Sequence, residues 1–116
     1  MRHQNRKKIL GRVSSQRQAL LRNLAESLVL HGSIQTTKAK AAAIRPLVET
    51  LVTKAKQGNL AQARRIRQIL YTDEAIKKIL TEIAPRYQNR PGGYLRVIRL
   101  APRANDQAAM VQIEFV

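Results

Sequence analysis

The stretch AAAIRPLVETLVTKAKQG, residues 41–58, decides the fold. Ile44, Leu47, Val48, Leu51, Val52 and Ala55 recur at the i, i+3, i+4, i+7, i+8 spacing that lines up side chains on one face of an α-helix, and Gly58 offers a C-terminal stop. Thr37 is placed to cap the helix at its start. A stripe this regular must bury itself against a second layer. Pro46 is the weak point, because proline donates no hydrogen bond to the Ala42 carbonyl; the sequence predicts a kink there, or a break separating residues 38–45 from the rest.

Working outward, Ile34, Thr36 and Thr37 make Ser33–Thr37 a short β-prone run. Before it, Ser15 and Gln18 match a capping box, and Leu20, Leu21, Leu24 and Leu28 follow at helical spacing until Gly32; a first helix is expected from about Gln16 to His31. After Gly58, Asn59 can cap a third helix with Leu60, Ile66, Ile69 and Leu70 inward. Thr72 or Asp73 caps a fourth, whose stripe is Ile76, Ile79, Leu80 and Ile83, with Glu74–Lys78 and Lys78–Glu82 as i, i+4 pairs and Pro85 as its end. A loop over residues 86–93 leads to a strand at residues 94–100; Asn105 and Asp106 mark a turn, and Val111, Ile113 and Phe115 alternate with polar residues in a closing strand. The expected architecture is α+β: four helices packed on one face of a small three-stranded sheet, in the order α-β-α-α-α-β-β. A single domain over residues 14–116 is expected to carry a basic extension, residues 1–13, that has too little apolar periodicity to pack by itself.

The 116 residues carry 22 Lys and Arg against 7 acids, a net charge of +15 that repels itself unless a polyanion supplies counter-charge. Nucleic acid is the leading partner. No run approaches the roughly 18 apolar residues that span a bilayer, and the N-terminal segment lacks the apolar middle of a secretory signal. Cysteine is absent, which excludes disulfides and thiolate zinc sites. Catalysis requires convergent groups, and the candidates are sparse: two histidines, His3 and His31, far apart in sequence, and acids scattered at Glu26, Glu49, Asp73, Glu74, Glu82, Asp106 and Glu114. No enzyme activity, cofactor, metal or small-molecule substrate is expected, and no homo-oligomer.

Three basic groups point to RNA, since Lys and Arg on phosphates release counterions and Arg adds bidentate hydrogen bonding. The first runs from the extension into the first helix: Arg2, His3, Arg6, Lys7, Lys8, Arg12, Ser15, Arg17 and Arg22, with no acid before Glu26. The second comprises Lys38, Lys40 and Arg45 with Arg64, Arg65 and Arg67; it reads equally well as solvated helix surface, and Lys38 and Lys40 are taken from it as candidate contacts. The third is Arg86, Arg90, Arg96, Arg99 and Arg103 around RPGGY at residues 90–94, where Gly92 and Gly93 permit close backbone approach to phosphate and Tyr94 could stack on a base or serve the core. Aromatics make up only 3% of the chain, against a single-strand binder built on stacking platforms and in favour of backbone and shape recognition. By contrast, residues 73–84 hold three acids against two lysines and are expected to face away from RNA.

MRH at residues 1–3, SSQRQALLRNLAESL at 14–28, HGSIQTTKAKA at 31–41, APRYQNRPGGYLR at 84–96 and IE at 113–114 together resemble, in order and spacing, the bacterial large-subunit ribosomal protein seventeen family. The resemblance spans the chain. Gln4 and Lys7 depart from its usual pattern of a basic residue and a glycine, while the positive charge of the segment is kept. It implies a small α+β domain with an N-terminal arm, bound to large-subunit ribosomal RNA near the nascent-chain exit beside other ribosomal proteins, in the cytoplasm and without catalysis. A DNA-binding architectural protein and an RNA-processing enzyme are the alternatives. The first lacks a single basic recognition helix, and the second lacks a catalytic constellation.

Overall fold

The computed structural model describes residues 14–116; the basic extension expected over residues 1–13 lies outside them. The order is α1 (Ser14–His31), β1 (Ser33–Thr37), α2 (Lys38–Gln57), α3 (Leu60–Arg67), a composite fourth helix, β2 (Leu95–Arg99) and β3 (Met110–Phe115). The fourth helix consists of α4 (Asp73–Lys78), a π-helical turn (Ile79–Ile83) and α5 (Ala84–Arg86). This is the predicted α+β arrangement. The sheet is antiparallel with β3 central: β1 pairs with β3 with Thr36 opposite Val111, and β2 pairs with β3 with Val97 opposite Ile113.

The α2 stripe is the centre of the core: Ile44, Val48, Leu51 and Val52 have no solvent exposure, and Leu28, Val29, Ile66, Ile79 and Ile113 meet them from the other layers. Each such side chain contributes roughly 1.5–3 kcal/mol over its exposed state. Thr37 caps α2 through its hydroxyl to the Lys40 N–H, and Gly58 closes it in the left-handed conformation. Pro46 neither breaks nor ends α2, which runs continuously across it. Ala42 and Pro46 both lie on the exposed side, so the carbonyl deprived of its helical donor can be hydrated.

Four local expectations are corrected. Ser14 and Ser15 already lie in the first turn of α1, so Ser15 does not stand as the cap outside it. Leu60, expected inward, is 67% exposed at the start of α3, leaving Ile66 and Leu70 to anchor that segment. Pro85 does not stop the fourth helix. The π turn ahead of it makes the Ala84 N–H donate to the Ile79 carbonyl, and this widened turn carries the helix through the residue that has no N–H, as far as Arg86. Neither predicted pair of Lys78 forms among the described residues, because Lys78 Nζ instead donates to the Leu30 carbonyl at 2.6 Å, tying α4 to α1.

Two further ties join the layers. Glu26 Oε1 accepts from the Tyr71 N–H, the Thr72 N–H and the Thr72 hydroxyl at 3.0, 2.7 and 2.9 Å, so an α1 carboxylate sits at the negative-charge-favouring start of α4. Tyr87, expected in a loop, packs with Tyr94 at 5.2 Å and Phe115 at 6.2 Å between ring centroids, and its hydroxyl donates to the Val116 carbonyl. Gly32 adopts φ +80° between α1 and β1, a conformation costly to any residue with a Cβ, and its carbonyl receives the Phe115 N–H.

Candidate nucleic-acid interface

Five of the 22 basic residues lie in residues 1–13, which leaves 17 against all 7 acids over the described residues, a net +10. What those 17 can do depends on what already holds them. Arg2, His3, Arg6, Lys7, Lys8 and Arg12 fall outside the described residues. In α1, Ser15 is exposed and Arg17 half-buried. Arg22 is occupied internally: its Nε donates to the Ile69 carbonyl at 2.9 Å and its guanidinium lies 4.1 Å from the Tyr71 ring centroid, a cation–π contact binding α1 to the turn after α3. Lys38 and Lys40 occupy the first turn of α2; Lys38 lies beside the end of the β2–β3 loop, its N–H donating to the Ala109 carbonyl.

The arginines of the third group separate into two kinds. Arg96 on β2 faces its strand partner Glu114 and binds it at 2.6 Å; Arg103 binds Asp106 at 2.7 Å across the β2–β3 turn. Arg96 first, then Gln112, holds the Glu114 carboxyl below its ordinary range, and Arg103 with the Ala108 N–H brings Asp106 down to about 2. Arg86, Arg90 and Arg99 are exposed and have no carboxylate partner among the described residues.

Tyr94 is 1% exposed, so its ring belongs to the core and the stacking role considered for it does not stand. Its hydroxyl meets Thr53 Oγ1 at 3.4 Å and receives the Lys56 ammonium at 3.0 Å. Lys56 also donates to the Arg90 carbonyl, and thereby clamps the RPGGY loop onto the end of α2. Gly93 turns that loop at φ +63°, and a Cβ on Gly92 would meet nothing within 4 Å: the backbone here stands open to an approaching group. Sequence reading missed Lys56, because its partners lie 34 and 38 residues away and no local spacing encodes them.

With the loop clamped, an open groove of about 510 Å³ forms between α2, α3 and Gly92. Lys54 and Arg65 stand on it, and Arg64 is exposed nearby on α3; none of the three has a carboxylate partner among the described residues. The second and third basic groups, separate in sequence, therefore meet at Arg65 and Gly92. No cluster of His, Asp and Glu able to hold a metal occurs among the described residues, and none of their helices is long and apolar enough to cross a membrane.

The family model described as Ribosomal protein L17 matches residues 20–116. The chain belongs to the ribosomal protein L17 family. Its L17 relatives extend the likeness over the N-terminal residues as well: the Large ribosomal subunit protein bL17 of Hydrogenobaculum sp. (strain Y04AAS1) is 47% identical over 117 residues, covering 100% of this chain and 99% of that protein. The protein of the same name from Gemmatimonas aurantiaca is 45% identical over 116 residues, with 100% and 98% covered, and that of Desulfitobacterium hafniense 47% over 107 residues, with 92% and 96%. The L17 match begins inside α1 and takes in every later element, so the Lys56 clamp and the RPGGY loop lie within the family's shared region.

Proposed function

We propose that this chain is a structural constituent of the large ribosomal subunit that binds folded large-subunit ribosomal RNA near the nascent-chain exit and holds its segments in place, beside neighbouring large-subunit proteins. The observation that carries the reading is the side formed by α2, α3 and RPGGY, where cations without carboxylate partners among the described residues converge around a glycine turn clamped by Lys56, in a chain of net charge +15. Membership of a family whose relatives are named for the large ribosomal subunit supports ribosomal RNA as the polyanion. Residues 1–13 act as a separate RNA-binding extension, with Arg2, Arg6, Lys7, Lys8 and Arg12 neutralising phosphates. The role is one of binding and scaffolding, carries no catalytic step, and places the protein on the ribosome in the cytoplasm.

Binding to deproteinised large-subunit ribosomal RNA, measured across a salt series, tests this. The full chain is expected to bind with an affinity that falls steeply with salt; deletion of residues 1–13 should leave the fold intact by circular dichroism while weakening binding and flattening the slope by several units, close to one for each lost phosphate contact. Equal affinity and slope with and without the segment would remove it from the interface. Sedimentation from lysate should bring the protein down with large subunits, and crosslinking there should place it beside the exit.

A further inference from the structure

The two edges of the sheet are built differently. β1 is polar along its edge, and its one large apolar side chain, Ile34, packs against the core. β2, at the opposite edge, exposes Val97 and Ile98 by 38% and 40%, and no strand lies beyond it among the described residues. Val97 shares the helix-facing side of the sheet with its register partner Ile113, which has no exposure at all, while Ile98 stands on the other side opposite Gln112. The core layer therefore stops one strand short of covering Val97. The backbone of this edge is open as well. The Val116 N–H donates to the Tyr94 carbonyl and the Leu100 N–H to the Met110 carbonyl, so by antiparallel alternation Arg96 and Ile98 turn their N–H and C=O groups toward β3, and Val97 and Arg99 turn theirs outward. An apolar pair beside a row of free donors and acceptors is a template for one more strand.

We infer that the free edge of β2 is a docking site for an extended, acidic and apolar segment of another protein, which adds to the sheet as a fourth strand. A polypeptide brings both N–H and C=O groups at strand spacing and so meets the outward groups of Val97 and Arg99 together. Charge selects the segment. Arg96 is already held by Glu114, but Arg99, on the same side of the sheet as Val97 and two residues on, is exposed and has no carboxylate partner among the described residues. The incoming strand is therefore defined by an apolar residue against Val97, a second against Ile98, and a carboxylate two positions from the first, against Arg99. A phosphate backbone fits this edge less well, since its oxygens accept from the N–H groups but leave the carbonyls and both aliphatic side chains unmet. A second copy of the chain brings the same arginines and another net charge of +15. The contact is one with protein and stands apart from the RNA interface.

Residue-resolved amide exchange on the full chain tests it, with a synthetic strand peptide of valine and threonine that carries one glutamate placed to meet Arg99. At saturation the peptide should slow exchange of the Val97 and Arg99 N–H groups by up to about tenfold, the protection one hydrogen bond supplies, and leave the outward Gln35 N–H of β1 unchanged. The same peptide with lysine for glutamate should bind several-fold more weakly. Val97→Pro removes the outward N–H but no bond to β3, so it should fold and lose the peptide; if it does not fold, Val97→Lys, at the same exposed position, should weaken the peptide several-fold. No protection of Val97 and Arg99 by the glutamate peptide, or equal protection of Gln35, overturns the inference, and with no RNA present either result leaves the ribosomal-RNA reading standing. In large subunits, a photoreactive benzophenone side chain at position 98 should crosslink to a protein segment with an apolar residue and a carboxylate two positions apart. A crosslink to RNA, or none in subunits that contain the chain, overturns the docking edge. Absence of the chain from large subunits overturns the ribosomal reading alone, since the peptide result still decides the edge.

Discussion

The β2–β3 hairpin and the groove side of α2 and α3 are both rich in arginine and lysine, but the two regions hold that charge differently. In the hairpin, Arg96 and Arg103 each lie within 2.7 Å of a carboxylate, that of a cross-strand partner and that of a residue three positions on. Along the groove, Lys54, Arg64 and Arg65 have no carboxylate partner among the described residues, and Lys56 is spent on a carbonyl and a hydroxyl that position the glycine loop. An arginine already donating to a carboxylate must surrender that bond to reach a phosphate, so its net gain is small; an unpaired one exchanges only water and counterions. Charge counted along a chain is therefore a poor measure of charge available to a partner.

The largest expected effect comes from the residue the two regions share. Tyr94 leads into β2 and presents its hydroxyl to Thr53 and Lys56 at the groove. Tyr94→Ala empties a fully buried aromatic site and should cost about 3–5 kcal/mol in chemical denaturation. Tyr94→Phe keeps the ring and should cost about 1 kcal/mol, with faster exchange of the Arg90 N–H, which donates to the Tyr87 carbonyl, as the sign that the Lys56 clamp has slackened. Equal losses in the two variants would mean that the hydroxyl network, rather than the packed ring, joins the regions.

Next in size is the contrast in RNA binding. Arg64→Ala with Arg65→Ala should reduce the salt slope for ribosomal RNA by about two and affinity by roughly 10- to 100-fold at moderate salt, whereas Arg96→Ala should leave the slope nearly unchanged. A slope that drops equally in Arg96→Ala would break the distinction between held and available arginines.

Much of the fold was legible because its decisive elements are encoded locally. The α2 stripe, the Thr37 and Asn59 caps, the stop at Gly58 and the alternation of Val111, Ile113 and Phe115 each depend on residues within a few positions of one another. The exceptions are where a local rule met a non-local circumstance. Pro85 reads as a helix stop until a π turn accommodates it, and Leu60 reads as inward until α3 proves to be anchored by Ile66 and Leu70. The site was less legible for the same reason. Clusters along the chain identified RPGGY, but the meeting of Gly92 with Arg65 and the Lys56 clamp arise from packing between segments far apart in sequence. Arg22 shows the converse, since a basic residue in an acid-free run is spent on a carbonyl and a ring inside the protein.

The smallest effect bears most directly on whether the hairpin arginines are truly engaged. Asp106 lies at about 2 instead of its ordinary 3.8, held there first by Arg103 and then by the Ala108 N–H, and Glu114 is lowered by Arg96 ahead of Gln112. A carboxyl whose folded value lies below its unfolded one favours the folded state fully above the unfolded value and ceases to do so as pH falls through the folded one; for Asp106 that window runs from about 3.8 down to about 2. Both carboxyls are at the surface, so the change should be visible in site-resolved NMR titration while the melting temperature barely moves. Arg103→Ala should return Asp106 most of the way to its ordinary range, the Ala108 N–H retaining the remainder, and Arg96→Ala should raise Glu114 without moving Asp106. Ordinary values for both carboxyls in the unaltered protein would mean that the two arginines spend their time in solvent, and would place the hairpin with the groove as a second surface open to RNA.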